Sequence, residues 1–191
     1  MAILTPPKFI RTVFIDELQD IVNRHPYHAF MIMSTGIEFL GKCLKTDRPN
    51  WHNTGKSTET FEKAIQEIPS LQKYEPLLEE FNLYGGLRCG LLHSAQPDSG
   101  ITLSSKNERG HLERHIFLGR DCINLRCEDF YADFKEACEW VIASISPEES
   151  EDKMNKPFLV VPGNGSSSSN PIIGFANSSA SAYGVDGASW L

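Results

Sequence analysis

The sequence has no apolar run approaching the eighteen or so residues that cross a bilayer. None of its five cysteines (Cys43, Cys89, Cys122, Cys127 and Cys138) forms a CxxC pair, and an odd number cannot all be paired within one chain. A P-loop and a GxGxxG turn are both missing, which removes the common phosphate-cradling loops from consideration. No basic stretch followed by an apolar run and a cleavage site opens the chain. These absences lead to the expectation of a cytoplasmic protein, not a membrane one, with reduced thiols, most of them small core residues. Positive charge is also short, with 18 Lys and Arg against 25 Asp and Glu, net −7. Such a balance argues against a protein that coats nucleic acid non-specifically.

The chain does have enough apolar material for a core. At 191 residues and 40% hydrophobic, it is expected to form one main domain. Its charge is unevenly placed: residues 86–126 carry net +2, whereas residues 127–156 carry net −6.

Periodicity outlines a mainly α-helical bundle. After Pro6-Pro7, a first helix places Ile10, Val13, Phe14, Leu18, Ile21 and Val22 on one face and stops at His25-Pro26. A second helix, about Tyr27 to Lys45, is apolar nearly all round, which marks it as central to the domain. Ser34 and Gly41 lie near one of its faces and would let a neighbouring backbone approach. Glu38 is the single carboxylate in this buried-looking run. It either turns to solvent or caps something, or it pairs with a buried guanidinium. From Thr46 to Lys56 the sequence is loop-like, with Trp51 and His52 within it. A third helix begins near Ser57 or Thr58 and buries Phe61, Ala64, Ile65 and Ile68 before Pro69. Pro76 then suits the first position of a further helix.

Residues 100–126 have a different character. Ile101–Ser105 alternates with period two, and His115–Leu118 and Cys122–Leu125 are further strand candidates, so a β-hairpin or three-stranded insert is expected at about 100–126. A last long helix follows from about Glu128 to Ile145, and Ser146-Pro147 signals one more polar turn. The domain is therefore drawn over residues 1–156, with a low-complexity Gly/Ser/Asn-rich C-terminal tail over 157–191 that carries apolar islands.

The run Tyr84-Gly85-Gly86-Leu87-Arg88-Cys89-Gly90-Leu91-Leu92-His93-Ser94 concentrates the chemistry. Leu83, Leu87 and Leu91 recur at helical spacing, so Arg88 and His93 are polar intrusions into a helix with a buried face. Each is costly there unless it finds a partner, for which a carboxylate, a second copy of the helix and a phosphate are the candidates. On an ideal helix a five-residue step leaves Arg88 and His93 about 140° apart, so one copy aims them at one atom only with difficulty. Cys89 and His93, at i and i+4, share a face and suggest a thiol–imidazole pair, but no orienting Asn or Asp can be placed beside them. His111, His115, Cys122 and Cys127 have zinc-binding residue types without the paired short spacings of a structural zinc site, and no metal is expected.

Arg-x4-His within LRCGLLH, together with the upstream helical run Ser34–Gly41, resembles the HEPN superfamily (higher eukaryotes and prokaryotes nucleotide-binding). The resemblance covers roughly the first 150 residues by helix order. At the position after the arginine, often polar in that superfamily's ribonucleases, this chain has Cys89. The resemblance implies a HEPN-like antiparallel helical bundle acting as a homodimer, and a metal-independent endoribonuclease of toxin or defence type that needs no cofactor. It implies RNA as a ligand and an antitoxin or nucleotidyltransferase-type protein as a partner. Arg88 and His93 would be its catalytic pair, with Glu38, Tyr84 and Cys89 in support. The competing reading is a non-catalytic binding or dimerisation module in which Arg88 and His93 make structural hydrogen bonds.

Overall fold

The computed structural model describes residues 5–44, 56–98, 100–106 and 108–145. The readings of the loop with Trp51 and His52, of the polar turn at Ser146-Pro147 and of the tail over 157–191 lie outside the described residues.

Over the described residues the chain is mainly helical with one small sheet. It starts with α1 (Pro6–Phe9), continues through a π-helical stretch, Ile10–Glu17, and becomes α2 (Leu18–Arg24). Pro6 and Pro7 occupy the first positions of α1, where a missing N–H costs nothing. The first helix was expected to start after them. The π turn also alters which side chains are buried. Its wider turn brings both Phe14 and Ile15 to the core beside Ile10, Leu18 and Val22, while Val13 and Ile21 stay half-buried.

Helix α3 (Pro26–Cys43) is the centre of the bundle and packs against α2, α4, α7 and the helical segment that carries Arg88. The apolar run predicted this position. α4 (Ser57–Glu67) buries Phe61, Ala64 and Ile65, with Ile68 just beyond it. Gly41 permits the α3–α4 contact, because a Cβ there would lie 1.7 Å from the Thr60 carbonyl oxygen. A 3₁₀-helical stretch, Pro69–Tyr74, follows where only a short connection was expected, and it buries Leu71 and Tyr74. α5 (Pro76–Glu80) opens on Pro76 as predicted and ends before Asn82, whose φ of 44° reverses the chain.

The next helical segment has two parts: a π-helical stretch, Tyr84–Cys89, and α6 (Gly90–Ser94). Leu83, Leu87 and Leu91 are fully buried, as their spacing required. The insert is a three-stranded sheet of β1 (Ile101–Ser104), β2 (Glu113–Phe117) and β3 (Arg120–Arg126) in the order β1-β3-β2. β1 runs parallel to β3, and β2 pairs antiparallel with β3 through a tight turn at Leu118-Gly119. Both turn residues have positive φ, 49° and 76°, which suits a two-residue hairpin loop. Ile101, Ile123 and Leu125 face the helices and join the core. α7 (Cys127–Ser144) closes the bundle through Phe130, Phe134, Ala137, Cys138 and Val141. Among the described residues no helix is long and apolar enough to cross a membrane.

Candidate functional site

The site is built where α3 meets the Tyr84–Ser94 segment. Two ties fix their antiparallel alignment. Near the C-terminal end of α3, Arg88 reaches Glu38, and at its start the Tyr27 hydroxyl donates to the Ala95 carbonyl just past α6. Ala95 takes the left-handed conformation that ends α6, so the Tyr27 contact lies directly against the cap.

Glu38 is 6% exposed and fully engaged. Its Oε2 accepts from Arg88 Nε at 3.1 Å and Nη2 at 2.8 Å, and its Oε1 accepts from Lys42 Nζ at 2.8 Å and Ser57 Oγ at 2.9 Å. Of the two readings of Glu38, pairing with the arginine is the one observed. The geometry differs from a fork meeting a fork: two N–H groups of the one guanidinium converge on one oxygen because the other is taken by Lys42 of α3 and Ser57 of α4. Burial alone would raise the Glu38 pKa. The hydrogen bonds from Lys42 and Ser57, with the charges of Lys42 and Arg88, outweigh burial and hold the carboxyl below its usual value. Burial likewise works against the Arg88 charge, and Glu38 overcomes it, so the guanidinium is held more firmly protonated than usual. The Arg88 guanidinium also lies over the Tyr84 ring, 5.7 Å from its centroid, and Tyr84 is braced edge-on by Phe61 of α4.

His93 is exposed in the last turn of α6 and makes no hydrogen bond among the described residues. Arg88 points inward to α3 while His93 faces solvent, so one chain does not bring them together. The ideal-helix angle of about 140° does not apply as it stands. Arg88 belongs to the π-helical stretch and His93 to α6, and a π turn holds an extra residue. Cys89, the last residue of the π stretch, is half-buried, and no hydrogen bond joins it to His93.

Gly85 and Gly86 are adjacent glycines within the motif run. The helix continues through both, and Gly86 provides close packing. A Cβ on Gly86 would sit 2.6 Å from the Asp98 carbonyl oxygen. After His93 the chain folds back along its own helix. Asp98 N–H donates to the Gly86 carbonyl at 2.9 Å, and Gln96 N–H donates to the Gly90 carbonyl at 3.2 Å. The returning chain thus hydrogen-bonds back onto carbonyls of the helix it has just left.

Lys42 and Ser57 did not stand out from the sequence as site residues. Lys42 had a visible signal, since it follows Glu38 by four residues on one helix face. Ser57 had none, because its contact depends on how α4 packs. A second polar group was also missed. The buried Tyr74 hydroxyl donates to Asp133 Oδ2 and meets His111 Nε2 at 2.8 Å. The Arg126 N–H donates to His111 Nδ1 at 3.1 Å, which leaves the imidazole hydrogen on Nε2, directed at Tyr74. Lys73 completes the group with a 2.7 Å bond to Asp133 Oδ1. Among the described residues no three His, Cys, Asp or Glu side chains come together as a metal site.

The chain was compared with family models, curated proteins and solved structures. None of the three gives a match.

Proposed function

We propose that the chain is a HEPN-like domain that cleaves RNA in the cytoplasm without a metal, as a dimer in which Arg88 of one copy works with the partner's His93. The observation that carries this reading is the contrast within the motif: an exposed imidazole with no described partner, five residues from a guanidinium held rigidly in place. A neutral imidazole titrates near physiological pH and suits proton transfer. His93 takes the proton of a ribose 2′-hydroxyl, the 2′ oxygen attacks the adjacent phosphorus, and the 5′ oxygen leaves with a proton returned to it. Arg88 steadies the charge that builds on the phosphate oxygens, a task for which a planar, permanently charged fork is suited. The divergence of the two side chains in one chain favours assembly from two copies. An antitoxin or nucleotidyltransferase-type protein is the partner class this reading brings with it.

The second reading also rests on a specific observation. Two Arg88 N–H groups are committed to Glu38 and its face to Tyr84, as in a structural ion pair. In that reading the domain binds or dimerises without cleaving. Incubation of purified protein with mixed RNA in EDTA, beside His93→Ala, separates the two. Cleavage by wild type alone supports the nuclease. No cleavage by either, with loss of stability or dimerisation in His93→Ala, supports the module.

A further inference from the structure

Two cations from different elements share the single carboxylate of Glu38. Lys42 holds Oε1 and Arg88 holds Oε2, each at 2.8 Å. One negative charge cannot neutralise both, so the group retains a net charge of +1 at neutral pH. The two cations are also less buried than the carboxylate between them. Their side chains are 21% and 17% exposed, against 8% for Glu38. The arrangement is a pair of cations fixed within one carboxylate's width and partly open to water. Among the described residues neither has all its donors used. The Lys42 ammonium has three N–H groups, of which Glu38 takes one. Arg88 Nη1 has no hydrogen-bond partner among the described residues. Ser57 completes the rear of the group by donating to Oε1, so Glu38 stays fixed as a counter-charge and does not swing outward.

Here the surplus is one positive charge, which one phosphodiester would balance. We propose that Lys42 and Arg88 together form a cradle for one phosphodiester of an RNA strand, with Glu38 as the fixed counter-ion that sets their spacing. Lys42 is then a substrate-positioning residue on α3, outside the Arg-x4-His motif. The proposal deepens the RNA reading above and rests on it for the identity of the anion. A single-stranded RNA is the suitable probe, since a 2′-hydroxyl reaches in-line attack most readily on a flexible strand.

The test uses the full chain carrying His93→Ala, so that RNA is bound and not cut. Binding of a fluorescent single-stranded oligoribonucleotide is followed by anisotropy across a salt series. The same series is run with Lys42→Gln and Lys42→Arg, and with Lys106→Gln, an exposed lysine just past β1, as a control outside α3, α4 and the Tyr84–Ser94 segment. Lys42→Gln should weaken binding and lower the slope of log K against log salt by about 0.7, the value of one phosphate contact to a single strand. Lys42→Arg should restore both. If Lys42→Gln leaves affinity and slope as Lys106→Gln leaves them, the cradle is overturned while RNA binding stands. A parallel titration with inorganic phosphate distinguishes the remaining cases. With no RNA binding, phosphate binding that Lys42→Gln abolishes keeps the cradle and overturns RNA as its ligand. Phosphate binding that is absent, or indifferent to Lys42, overturns the cradle as well.

Discussion

Arg88 directs two N–H groups at the same oxygen of Glu38, across the packed boundary between the Tyr84–Ser94 segment and the central helix. The other Glu38 oxygen already belongs to Lys42 and Ser57, so the carboxylate joins three elements.

Glu38→Gln should therefore be costly. The amide cannot balance two cations, and its NH₂ group would face a donor. A loss of about 3 kcal/mol is expected, at the low end for a broken buried pair because Arg88 keeps 17% of its side chain in water. Chemical denaturation measures it, and an unchanged midpoint would show that the pair does not hold the fold. The lowered Glu38 pKa adds a pH signature. Its folded value lies below the unfolded one, so this stabilisation is complete above the ordinary carboxyl pKa of 4.5 and fades as pH falls through the folded value.

For catalysis, His93→Ala should leave the melting temperature nearly unchanged, since the side chain is exposed. It should reduce RNA cleavage by about 10²–10⁴-fold, the usual worth of one acid–base group. Arg88→Lys should also lose most activity, because an ammonium keeps the charge but not the planar fork. Light scattering at micromolar concentration should give a dimer, and a monomer that still cleaves RNA would remove the two-copy arrangement.

Tyr74→Phe tests the second polar group. It leaves the His111 Nε2–H without an acceptor and Asp133 without one donor, at a cost of about 1–3 kcal/mol. Burial, more than the neighbouring charges, lowers the His111 pKa from 6.5. The unfolded chain therefore takes the proton first, and this stabilisation is full above pH 6.5 and declines as pH falls from there through the folded value. His111→Gln should have a flatter melting profile than wild type between about pH 7.5 and 5.5. Equal slopes would rule out His111 as the titrating group.

Gly86→Ala should destabilise by about 1–3 kcal/mol, since its Cβ would meet the Asp98 carbonyl at 2.6 Å and the returning chain would have to move. Hydrogen exchange at the Asp98 amide should accelerate in the variant. Unaltered exchange would mean that the return segment does not depend on this contact.

Much of the bundle was legible because burial follows period. The apolar run of α3 announced a central helix, and a lone carboxylate within it raised a buried cation as one of its possible partners. Leu83, Leu87 and Leu91 identified the inner face of the motif helix. Other features depend on contacts between distant residues and leave no local pattern. Tyr74, His111 and Asp133 come from three separate parts of the chain, and Ser57 meets Glu38 only because α4 crosses α3 closely at Gly41. The π turns were missed for a related reason. The sequence pattern put Val13 on the buried face and left Ile15 out of it, whereas Ile15 is buried and Val13 only half-buried.

The π-helical stretch at Tyr84–Cys89 also affects how spacing is measured. A π turn is a helix with one residue in surplus, so sequence distance and spatial distance no longer match across it. A chain tracing the same path as an ordinary α-helix would reach the equivalent of His93 with one residue fewer. With equal residue numbers and no surplus, everything beyond would be turned by about 100°. Insertion or deletion of one residue in Tyr84–Cys89 would thus redirect the imidazole without touching it, and length at this point is as much a determinant of the motif as the identity of its residues.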